Sequence, residues 1–129
     1  MGKGKIKKTV GRISSEVIER YKLYDYRNTE IVQALDLYVH IAKHAEEFES
    51  VDSYNHAVAS IPEIISDPIF VYYDQYRNSL LYFKKIDEYV CLVVKLNLRK
   101  NKDTYVATLY PISENKIQKY IEQSYIINR

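Results

Sequence analysis

Apolar and polar positions follow two different periods along the chain, and the period changes at Pro68. Ahead of that proline, apolar residues recur at spacings of three and four. Ser14 or Ser15 can cap a short helix that carries Val17, Ile18 and Tyr21 on one stripe. Asp36 can cap a central helix over Leu37 to Phe48, and Asp52 or Ser53 can cap another with Tyr54, Val58 and Ile61 at helical spacing. Pro62 interrupts that helix and can start a further turn to Ile65. Tyr24 to Thr29 is turn-like, and Glu30 to Ala34 fits either a brief strand or a first helical turn. Beyond Pro68 the runs Ile69 to Tyr73, Ser79 to Ile86, Tyr89 to Leu98 and Thr104 to Ile112 are rich in β-branched and aromatic residues. Ser113 with Glu114 can then start a closing helix through Ile117, Tyr120 and Ile121.

Short connections between these four runs predict antiparallel neighbours. In the third run, Val90, Leu92, Val94, Leu96 and Leu98 share a core face, whereas the fourth run can present either face. The expected fold is α+β, with N-terminal helices packed on one face of a four-stranded antiparallel β-meander and a short C-terminal helix. The other face, carrying tyrosines, lysines and a threonine, is then expected to lie open as a shallow cleft.

Composition adds bounds to this picture. With 129 residues, 47% hydrophobic and 28% charged, the chain is of single-domain size and ordinary globular character. Lys3, Lys5, Lys7, Lys8 and Arg12, with no acidic residue among them, suggest a flexible basic arm over residues 1–12 ahead of one domain over 13–129. A net charge of +2 does not announce nucleic-acid binding. Fourteen tyrosines with no tryptophan leave many rings able to stack on bases or to fill half-exposed sheet faces. Cys91 has no cysteine partner for an internal disulfide and lies in an apolar run as a small hydrophobe. No apolar run approaches the roughly eighteen residues of a membrane span, so the expected setting is cytoplasmic, without a membrane partner.

The most suggestive chemistry is the pair His40 and His44, which on an α-helix would leave the same face one turn apart. Two imidazoles in one small volume suit proton transfer, metal binding or a pH-sensitive contact. The spacing also suits a zinc helix, but position 41 is Ile where the metalloprotease motif needs Glu, and nothing demands His56 or Glu47 as a further ligand. Neither metal nor cofactor is expected. The bland alternative has both histidines hydrogen-bonded into helix packing, with no site at all. Metal-free RNA cleavage needs a base for the ribose 2′-hydroxyl, an acid for the leaving oxygen, and donors around the phosphorane. His40, His44, Lys84, Lys85, Arg77, Thr108 and Tyr110 are residue types able to fill those roles.

The ordered segments Val10 to Ser14, His40 to His44, Ile61 to Pro68, Asn78 to Ile86, Leu92 to Leu96 and Val106 to Ile112 resemble phage-associated nuclease-like domains of the barnase, EndoU, colicin and RelE superfamily. The likeness spans Val10 to Ile121. It implies helices on a four-stranded antiparallel sheet and a metal-independent ribonuclease, toxin-like or phage-encoded. It implies further that one of His40 and His44 faces the cleft as acid or base, that one of Lys84 and Lys85 supplies a cation, and that Thr108 and Tyr110 provide a hydroxyl and an aromatic group. Arg77, Asn78 and Tyr82 are then assigned to substrate binding. Relatives commonly carry proline just after the second histidine, where this chain has Ala45. RNA is the expected partner, with a protein inhibitor or host protein as a further one, and the oligomeric state stays open. The alternative is a catalytically inactive binding or regulatory module with the same fold. Convergence of a lysine and a histidine on one point in the cleft discriminates the two.

Overall fold

The computed structural model describes residues 7–34, 37, 41–98 and 103–127. In chain order the elements are β1 (Lys7–Arg12), α1 (Ser15–Tyr21), a 3₁₀ helix (Tyr24–Tyr26), β2 (Glu30–Ala34), a second 3₁₀ helix (Ala42–Glu47), α2 (Val51–Ala59), α3 (Ile61–Ser66), β3 (Phe70–Asp74), β4 (Ser79–Lys85), β5 (Tyr89–Lys95), β6 (Thr104–Pro111) and α4 (Glu114–Ile127). The strands form one sheet in the order β1-β2-β6-β5-β4-β3. All neighbours are antiparallel except β2 and β6, which run parallel through Ile31–Thr104 and Val32–Tyr105.

This overturns the expected four-stranded antiparallel meander beneath N-terminal helices. The sheet is six-stranded and mixed, and the chain enters it with a strand. Lys7 to Arg12, within the stretch expected to be a flexible basic arm, form β1, whose only buried side chain is Val10. One buried residue leaves no apolar alternation to detect. The strand is held instead by its ladder to β2 and by polar pairs: Arg12 donates to Glu30 at 2.9 Å, Thr9 donates to Glu30 at 3.2 Å, and Lys7 pairs with Asp103. Gly11 has a specific reason to be glycine. A Cβ there would stand 2.7 Å from Cγ2 of Ile65, so α3 can approach β1 closely only because the side chain is missing.

Helices cover both faces. On the first, α1, α2 and α3 bring Val17, Ile18, Ala57, Ile61 and Ile64 against Leu80, Tyr82, Val90, Leu92, Val94 and Leu109. Complete burial of Ile61 and Ile64 contributes about 1.5–3 kcal/mol each. On the second face, α4 lays Ile117, Tyr120 and Ile121 over Leu81, Phe83 and Cys91. The tyrosine-rich face expected to be open is therefore roofed by α4, which has 14 residues rather than being a short closing helix. The register shift between Val93 and Val94 explains why β6 fits either face by alternation: Val106 lies opposite Val94, in the first core, whereas Thr108 and Tyr110 lie opposite Val93 and Cys91, on the second face.

Candidate active site

Beyond Tyr105 the described residues show no strand pairing to the outer side of β6, and the 3₁₀ helix Ala42–Glu47 packs against that strand. Buried Ile41 and Phe48 pin the two ends of this helix into the first core. The residues between them are polar or small and stay at the surface, which brings half-buried His44 to the rim of the second face. There its ring meets Tyr110, with centroids 5.8 Å apart and planes tilted by 46°. The α-helix expected over Leu37 to Phe48 is thus replaced in its later part by a 3₁₀ helix of three residues per turn. In that geometry a glutamate three places after a histidine shares its face.

Nδ1 of His44 lies 2.7 Å from Oε2 of Glu47, close enough for Nδ1–H to donate to the carboxylate. That pairing puts the neutral imidazole's proton on Nδ1 and leaves Nε2 with its lone pair, the state of a general base. Tyr110 stands directly opposite Cys91 in the β5–β6 ladder. Burial raises the pKa of Tyr110, the Cys91 partner raises it further, and the Arg77 charge opposes the shift, so the phenol stays neutral.

Glu47, Tyr110, Ser113, Lys116 and Tyr120 line a depression of about 290 Å³ together with Pro111 and Ile112. It lies where α4 begins. Ser113 accepts from the backbone N–H of Lys116 at 3.2 Å, and the positive end of the helix dipole faces this region. A carboxylate, a lysine and two phenol rings line the concavity, and the imidazole of His44 adjoins two of them, Glu47 and Tyr110. Such a set can take a proton, hold a phosphate and flank a base.

The expected site residues divide between places. His40 lies outside the described residues. Lys84 is on the first face, where its ammonium donates to the Asp67 carbonyl at 2.7 Å and to Oδ2 of Asp67 at 3.1 Å, with Glu63 at 3.7 Å. It does not meet His44. Lys85 is on the second face, over the ring of Tyr89 at 5.3 Å. Thr108 lies on the second face too, but its hydroxyl is buried without a partner. Tyr82 is 1% exposed on the first face, and its hydroxyl likewise lacks a partner. Asn78 holds the β3–β4 turn at φ 48°, accepting from Tyr73 at 2.8 Å and donating to Tyr26 at 3.1 Å. Arg77, at the same turn, is exposed and within 3.5 Å of Asp74. Tyr110 and His44 are thus brought together. Sequence reasoning missed Glu47, Lys116 and Tyr120 as their companions; the i, i+3 placement of Glu47 after His44 was the available signal.

Among the described residues no three His, Cys, Asp or Glu side chains are grouped to hold a metal ion, and no helix is long and apolar enough to cross a membrane. The structure is an α+β domain with a mixed sheet, a roofing C-terminal helix and a histidine–carboxylate pair at the rim of the second face. The chain belongs to the family described as phage-Barnase-EndoU-ColicinE5/D-RelE like nuclease3, whose model matches residues 7–119. Comparison with curated proteins and with solved structures returned no match.

Proposed function

We propose that the protein is a metal-independent ribonuclease acting at the His44–Glu47 pair, toxin-like or phage-encoded in role. The observation that carries this reading is the 2.7 Å contact between His44 Nδ1 and Glu47, which leaves Nε2 as the basic nitrogen, with Glu47 and Lys116 lining one concavity. Nε2 takes the proton of the ribose 2′-hydroxyl, and O2′ then attacks phosphorus. The 5′-oxygen leaves with a proton, and a 2′,3′-cyclic phosphate remains. Lys116 and the start of α4 offset the charge on the equatorial oxygens. Tyr110 walls the site and keeps the His44 ring in place. His40 is the proposed second proton-transfer group, to be tested by its own substitution. RNA is favoured over DNA because its 2′-hydroxyl is an internal nucleophile.

A second reading is a binding or regulatory module that kept the fold without the chemistry. Lys84, tied to Asp67 on the far face and away from His44, favours it. Purified protein incubated with mixed RNA in chelator separates the two. The nuclease produces fragments ending in cyclic phosphate, and His44→Ala lowers kcat/KM by roughly 10²–10⁴-fold, the span of one general acid–base group. Intact RNA with the wild type leaves the binding module. Cleavage that survives His44→Ala moves the chemistry elsewhere.

A further inference from the structure

Next to the depression at the start of α4 is another of about 320 Å³, lined by Lys116, Lys119, Tyr120 and Gln123. The two share Lys116 and Tyr120 and so adjoin one another along the helix. Positions 116, 119, 120 and 123 follow the i, i+3, i+4, i+7 pattern of a single helical face. No acidic side chain lines this second depression, and among the described residues neither Lys116 nor Lys119 has a carboxylate partner.

We propose that this part of α4 is a second nucleotide subsite, which takes the phosphodiester and base adjoining the scissile unit. The proposal rests on the ribonuclease reading and assigns that site a substrate longer than a dinucleotide. Lys119 supplies the cation for the adjoining phosphate. Gln123, whose amide both donates and accepts, suits the polar edge of a base. Tyr120 is already held by Phe83, stacked with centroids 5.4 Å apart, and by Tyr72, tilted at 4.8 Å, and it still lines both depressions. A ring held in place before binding loses little freedom when a base comes against its remaining surface.

The test is binding of uncleavable 2′-O-methyl oligoribonucleotides of two and of four units, followed by fluorescence anisotropy, so that affinity is read apart from turnover. Wild type is expected to hold the longer probe about tenfold more tightly, a gain of the size that one phosphate contact with partial stacking supplies. Lys119→Ala removes that gain, leaves the shorter probe unchanged, and lowers the slope of log affinity against log salt by about one. Gln123→Ala takes away part of it. Equal affinity of the wild type for both lengths, or a Lys119→Ala loss equal for both, overturns the subsite and leaves the ribonuclease reading standing. If neither probe binds, both fall.

Discussion

At the site, the carboxylate beside the histidine decides which ring nitrogen is basic. Glu47→Gln keeps the size of the side chain but can present its amide N–H₂ to Nδ1, which favours the tautomer with the proton on Nε2. That tautomer cannot accept the 2′-hydroxyl proton. The expected result is a loss of kcat of roughly tenfold or more with KM nearly unchanged, measured on a defined oligonucleotide. An unchanged kcat would show that Glu47 is a surface partner and nothing else. Tyr82 makes the opposite point. Its hydroxyl is buried with no partner, so it bears desolvation that no hydrogen bond offsets. Tyr82→Phe removes that burden, and urea unfolding should place the variant level with the wild type or about 1 kcal/mol above it. A loss above about 1 kcal/mol would mean the hydroxyl is satisfied by a buried water.

Among the elements, β1 shows most sharply where pattern fails. Lys7, Lys8 and Arg12 are exposed, and the strand exists because β2 offers it a ladder, not because its own residues alternate. Its dependence on close packing predicts the effect of Gly11→Ala. The added methyl meets Cγ2 of Ile65 at 2.7 Å, in a position hemmed by α3, so the contact is relieved only by displacing one element from the other. The expected cost is about 1–3 kcal/mol in urea unfolding, recovered in large part when Ile65 is shortened in the double variant. Without that recovery, the glycine is needed for its backbone and not for its missing side chain. The four strands after Pro68 were legible because β-branched and aromatic runs broken by polar turns have few alternative arrangements. The parallel pairing of β2 with β6 was not, since Ile31 and Thr104 are far apart in sequence and only the assembled sheet joins them. His44 was legible as a chemically able residue, whereas Glu47, three places on, was one of several acidic neighbours until the 3₁₀ helix set its carboxylate 2.7 Å from the ring.

Taken whole, the molecule uses phenols and one thiol as core material on both sides of its sheet, which ties its stability to alkaline pH. Burial pushes Tyr21 from 10.0 up to about 12 and Cys91 from 9.0 up to about 12. Tyr82 on the first face and Tyr110 on the second are raised by burial as well. All four are neutral when protonated, so the folded chain holds these protons at a pH where the unfolded chain has released them. Between about pH 9 and 12 the native state therefore binds more protons, and the free energy of unfolding falls as pH rises. Each such group contributes a slope of up to about 1.4 kcal/mol per pH unit inside its window and nothing below it. The urea midpoint should be insensitive to these groups near neutrality, then drop steeply above pH 10, the ordinary tyrosine value. Tyr21→Phe should make the fall shallower by one proton's worth, even if it lowers stability at pH 7 through loss of the 2.6 Å hydrogen bond to the Val71 carbonyl. An alkaline slope identical in wild type and Tyr21→Phe would place that phenol in water and remove it from the core that gives the fold its pH limit.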